Sequence, residues 1–135
     1  MQIGSRRAVL NPASGTGDHA EYVTRLLMAR GFAVDETADG GDARRLGREA
    51  GERGVSELAV CGGDGTVNAV LRGLADVDAV GDVTLGIVPC GTANIFAREL
   101  GIRDVRHGVR VADSGPVREV DLGYAGPDPF AVSCI

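Results

Sequence analysis

Residues 58–68, Leu58-Ala59-Val60-Cys61-Gly62-Gly63-Asp64-Gly65-Thr66-Val67-Asn68, decide the fold. The first four form a continuous apolar run too short for a helix, as expected of a strand covered on both faces. Gly62 to Gly65 then make a tight turn, and Val67, Val70, Leu71 and Leu74 recur at helical spacing. Strand, turn and helix follow one another without a linker.

Outward from this segment the same unit returns. Upstream, Arg7-Ala8-Val9-Leu10 reads as a strand running into the loop Asn11-Pro12-Ala13-Ser14-Gly15-Thr16-Gly17. Asp18 is placed to cap a helix with the apolar face Val23, Leu26 and Leu27, ended by Gly31. Phe32-Ala33-Val34 opens a second strand reaching about Thr37, and Ala43, Leu46, Gly47 and Ala50 mark a second helix before Gly54. Downstream, Leu85-Gly86-Ile87-Val88 is a fourth strand, Pro89-Cys90-Gly91-Thr92 its turn, and Ala93, Phe96, Ala97 and Leu100 a fourth helical face. Residues 104–112 suit another helix, and 117–122 another strand, with an apolar stretch at 130–135. Alternating strands and helices with short links specify an α/β domain: a mostly parallel sheet, helices on both faces and right-handed crossovers, a Rossmann-like three-layer arrangement.

Composition agrees and excludes other classes. The 135 residues suit one domain, and 44% apolar content is enough to form a packed core. Glycine, at 21 residues, indicates many tight turns and close backbone approaches. Aromatics are only 4%, with no Trp, which disfavours a stacking platform for single-stranded nucleic acid. All 14 basic residues are Arg, so neither a P-loop lysine nor a Schiff-base lysine exists here. A net charge of −5 disfavours nucleic acid as a partner and leaves no polybasic membrane patch. Cys61, Cys90 and Cys134 lack metal-ligand spacing and read as reduced, buried thiols. No run is long enough for a transmembrane helix, and a cytoplasmic location is expected.

In an open parallel sheet ligands bind where strands end in turns. The turns after the first, third and fourth strands are rich in Gly, Ser, Thr and Asn. Gly62-Gly63-Asp64-Gly65-Thr66-Val67-Asn68 is the strongest of the three. A helix start offers unpaired amides and a positive dipole end, glycine admits close approach, and Thr66 and Asn68 add polar groups. Asp64 is incongruous beside phosphates unless it reaches Mg²⁺ or holds the loop by accepting backbone amides; merely capping its helix is the plain alternative. The Rossmann fingerprint would need Gly at 68, where Asn68 stands, and a P-loop would need lysine. Gly91, Thr92 and Asn94 repeat the design, although Thr92 also suits a simple N-cap. His19 and His107 read as exposed helix residues, Cys90 as a packed thiol whose pKa a helix N-terminus would lower, and Arg98 as solvated or supporting phosphates.

Gly62-Gly63-Asp64-Gly65-Thr66, preceded by Asn11-Pro12-x-Ser14-Gly15 and followed by Pro89-x-Gly91-Thr92-x-Asn94, resembles the diacylglycerol kinase catalytic domain family, which includes sphingosine, ceramide and bacterial lipid kinases. Asp121-Leu122-Gly123 is similar to a later element of that family. The resemblance implies a fold similar to the nucleotide-binding domain of NAD kinases and phosphofructokinases. It implies an ATP site formed by Asn11, Pro12, Ala13, Ser14, Gly15, Thr37, Gly62, Gly63, Asp64, Gly65, Thr66, Val67, Asn68, Gly91 and Thr92, with Asp64 as the catalytic candidate. It also implies Mg²⁺-dependent transfer of the ATP γ-phosphoryl group to a lipid hydroxyl such as that of diacylglycerol, at the inner membrane face. Ile95 departs from the family, which often has Asp there. Residues 1–135 are expected to be the nucleotide-binding domain alone, with the β-rich lipid-binding domain absent or truncated and homodimer formation left open. The alternatives are a kinase of a non-lipid acceptor, such as NAD, and a nucleotide-binding module without catalysis.

Overall fold

The computed structural model describes residues 6–15, 18–117, 123–125 and 128–130. Four strands, β1 (Arg6–Leu10), β2 (Ala33–Glu36), β3 (Glu57–Gly62) and β4 (Thr84–Pro89), form one sheet in the order β2-β1-β3-β4. Every pairing in it is parallel, with Val9 opposite Val60 and Val60 opposite Ile87. The helices are α1 (Ala20–Met28), α2 (Asp42–Glu52), α3 (Asp64–Asp76), α4 (Ile95–Glu99) and α5 (Val105–Ser114).

The pleat divides the core in two. Val9, Leu58, Val60 and Ile87 point to one face, where Ala43, Ala50, Val67, Val70, Leu71, Leu74 and Ala97 from α2, α3 and α4 cover them. Ala8, Leu10, Ala59, Cys61 and Val88 point to the other, under Val23 and Leu27 of α1 and Val109 of α5. The three layers expected from the apolar runs are therefore present, and the sheet is wholly rather than mostly parallel. Between α2 and α3 the backbones nearly touch. A Cβ on Gly73 would fall on the carbonyl oxygen of Arg44, and one on Gly47 would come 2.5 Å from that of Val70.

An ionic clamp joins the strands to α5. The Arg6 guanidinium bonds Asp113 Oδ1 at 2.7 Å and lies 4.9 Å over the Phe32 ring, while Arg30 reaches Asp113 Oδ2 at 3.0 Å. These cations, Arg6 first, hold the Asp113 carboxyl below its ordinary range.

Several local expectations need correction. His19, not Asp18, precedes α1, and its side chain makes no capping bond. α3 begins at Asp64 with Gly63 as its N-cap. α4 begins only at Ile95, so Ala93 lies outside it and exposed Thr92 is not its cap. Gly123–Ala125 and Asp128–Phe130 (β5 and β6) form an antiparallel pair that the sequence did not suggest. Val117 is not in a strand. The rest of the strand expected at 117–122, including Asp121 and Leu122, lies outside the described residues, as do Cys134 and the stretch 131–135.

Candidate functional site

β1 and β3 are neighbours whose following connections diverge, α1 to one face and α3 to the other. Such a reversal opens a crevice at the carboxyl ends of the strands. A cleft of about 360 Å³ lies there, within the ~300–1,000 Å³ usual for small-molecule sites. Asn11, Ser14 and Gly15 enter it from the loop after β1, Gly63, Gly65 and Thr66 from the start of α3, Gly91 from the turn after β4, and Thr37 from the end of β2.

The three glycine-bearing turns are bound to one another. Asn11 anchors the first: its amide donates to Cys61 O at 2.9 Å, its Oδ1 accepts from Ala13 N at 3.0 Å, and its Nδ2 donates to Thr66 Oγ1 at 3.2 Å. Gly15 has φ +58°, and a Cβ there would stand 2.5 Å from Cys90 O. In the third turn Asn94 adopts φ +52°, and its side-chain amide both accepts from Gly91 N and donates to Gly91 O, each at 2.9 Å. Asn94 is thus used to close its turn, and the Gly91 amide is already taken.

Asp64 works across the fold. Its Oδ2 accepts from Ile95 N at 2.9 Å and its Oδ1 from Phe96 N at 3.0 Å. It begins α3 but caps α4. Of the readings open for this residue, the loop-holding one has direct contacts. The family departure at Ile95 does not disturb them, because the main-chain amide is the donor.

Beyond Gly63, the first turn of α3 presents backbone amides that have no partner within the helix, at the positive end of its dipole. Val67 lies past this edge: its amide donates to Gly63 O at 3.1 Å and its side chain is fully buried in the core, so its side chain faces away from the cleft. Gly62 is buried against Ser14 and Thr66. Pro12, Ala13, Asp64, Asn68 and Thr92 are near the turns but do not line the cleft.

Four lining residues were not anticipated: Asp39, Gly40, Ala43 and Ala69. The loop after β2 is set by Asp42, whose Oδ2 accepts from Ala38 N at 2.6 Å and Asp39 N at 3.2 Å. Those amides hold the Asp42 carboxyl below its ordinary range. The signal was the run Asp39-Gly40-Gly41-Asp42, a turn of the same kind as the other three.

Cys90 differs from expectation. Burial pushes its thiol up to about 11, the reverse of a helix-end effect, and Cys61 is raised as well by burial. His107 is half-buried, not exposed, and accepts from Arg103 N at 3.0 Å through Nδ1. His19 is half-buried too. Among the described residues no group of three His, Cys, Asp or Glu could hold a metal ion.

A parallel sheet whose glycine-bearing turns close on a helix start defines an open α/β domain with a cleft at the carboxyl ends of its strands. The chain belongs to the diacylglycerol kinase catalytic domain family, whose model matches residues 6–125. A Bacillus subtilis protein named "Diacylglycerol kinase" is 36% identical over 131 residues, covering 92% of this chain and 43% of that one. A Chromohalobacter salexigens protein named "Probable lipid kinase YegS-like" is 44% identical over 100 residues, covering 73% and 32% respectively. A crystal structure of a diacylglycerol kinase from Bacillus anthracis str. Sterne matches 96% of this chain and 46% of its own, with a TM-score of 0.81 and 29% identity. The chain therefore spans less than half the length of the relatives it matches.

Proposed function

We propose that residues 1–135 form the ATP-binding part of a lipid kinase that transfers the γ-phosphoryl group to a lipid hydroxyl such as that of diacylglycerol. The observation that carries this reading is the convergence of the turns after β1, β3 and β4 on the amide-bearing start of α3. In this reading the phosphates lie against Gly63, Gly65 and Thr66, with Ser14 and Gly15 on the opposite wall. Phosphoryl transfer asks a protein mainly to position reactants and stabilise charge, which fixed amides do at little reorganisation cost. Asp64 then serves by holding the third turn against the first two.

ATP fits this cleft better than a resident metal does. Mg²⁺ enters the reading as the counter-ion carried by the nucleotide. Contact with a lipid acceptor is read as peripheral, at the inner face; among the described residues no helix is long and apolar enough to cross a membrane. The family match favours a lipid acceptor over NAD. The acceptor pocket is assigned to a second, β-rich domain.

Calorimetric titration with ATP and Mg²⁺ tests the core of this reading: saturable binding that weakens in Gly63→Val is expected, and no binding overturns it. Efficient phosphorylation of diacylglycerol from radiolabelled ATP by these 135 residues alone would overturn the need for a second domain.

A further inference from the structure

The cleft has two unlike ends. At one, Gly63, Gly65 and Thr66 present hydrogen-bond donors at the positive end of α3. On the β2 side, in the loop that follows Thr37, stands Asp39, the only charged side chain among the described lining residues, which also include the small side chains of Ala43 and Ala69. Asp39 is held in place: its Oδ1 accepts from Gly41 N at 3.0 Å, and its own amide donates to Asp42 Oδ2 at 3.2 Å. Oδ2 has no hydrogen-bond partner among the described residues.

We infer that Asp39 orients and selects the nucleotide by accepting hydrogen bonds from the ribose hydroxyls. This rests on the nucleotide reading above and says which end of the cleft receives the sugar. A carboxylate repels phosphoryl oxygens, so the triphosphate is directed toward α3 and the nucleoside toward β2. Vicinal hydroxyls are donors that match a fixed carboxylate. The same charge disfavours any nucleotide carrying a 2′-phosphate. The loop after β2 thus supplies specificity, while the other turns supply affinity for phosphate.

Calorimetry on the whole chain with Mg²⁺ and ATP, 2′,3′-dideoxy-ATP or inorganic tripolyphosphate tests this, with circular dichroism to verify folding. The wild type is expected to prefer ATP over the dideoxy analogue by roughly ten-fold or more, the scale of one charge-assisted hydrogen bond. Asp39→Ala should bring ATP down to the level of the analogue and leave tripolyphosphate no weaker. Asp39→Asn, which keeps an acceptor for Gly41 N, should fall between the two. An unchanged preference in a folded Asp39→Ala overturns the assignment, as does equal weakening of all three ligands. A wild type that binds no ATP overturns the nucleotide reading and this inference together.

Discussion

Gly63 and Gly91 meet backbone to backbone: a Cβ on Gly91 would fall on the Cα of Gly63, and one on Gly63 would come within 3.2 Å of the Cα of Gly91. The second and third turns close the cleft only because neither residue has a side chain. Gly91→Ala should therefore force the turns apart, costing ~1–3 kcal/mol of stability as overpacked contacts do. Gly65 gives the contrast, since a Cβ there meets nothing within 4 Å. Gly65→Ala lies in α3 and should gain ~0.5–1 kcal/mol of stability. It should still weaken ATP, because the added methyl enters the cleft. Urea denaturation and ATP titration on both variants separate packing from binding.

The bonds from Asp64 to the amides of Ile95 and Phe96 make it a cap for a helix 31 residues away. Asp64→Ala should cost ~1–2 kcal/mol, the range for losing an N-cap, and Asp64→Asn less, because one acceptor survives. Hydrogen exchange at the amides of Ile95 and Phe96 should accelerate in both variants. Unchanged protection at those two amides would contradict the role.

The Asp113 clamp predicts a pH dependence. Its folded pKa is depressed by Arg6 and Arg30, so its stabilisation is present above the ordinary carboxylate range and is lost as pH falls through the folded value. Thermal melts between pH 7 and pH 3 should show the wild type losing more stability on acidification than Asp113→Asn. Asp42 and Asp76, also depressed, contribute to the acid limb of both proteins.

With its thiol raised to about 11, Cys90 holds very little thiolate at pH 8. Iodoacetamide should leave Cys90 and Cys61 unmodified in the native chain and label both in urea, as read by peptide mass spectrometry. Rapid native labelling of Cys90 would show that the cleft turns open readily.

How much of this could be read from the residues varies with range. The sheet and helices were legible because burial on both faces demands continuous apolar runs, and Leu58 to Cys61 supply one. The three meeting turns were legible because glycine and small polar residues recur after three strands. α4 was misread at its start because Asn94 takes a left-handed conformation to close the turn on Gly91, which delays the helix to Ile95. The part Asp64 plays could not be read locally, since its partners lie on another helix. The β2–α2 loop carries no Ser, Thr or Asn beyond Thr37 to single it out. It joins the site because the strand order sets the end of β2 beside that of β1.

Most of the cleft wall is glycine, alanine and main chain, and this shapes how the domain can diverge. A pocket written in side chains is lost when those side chains change. One written in the path of the chain survives wide replacement around it, provided no insertion, deletion or bulky residue alters that path. A saturation scan should therefore find intolerance concentrated at Gly15, Gly63 and Gly91 and broad permissiveness on the outer faces of the helices, so that descendants with little sequence in common can keep the same cleft.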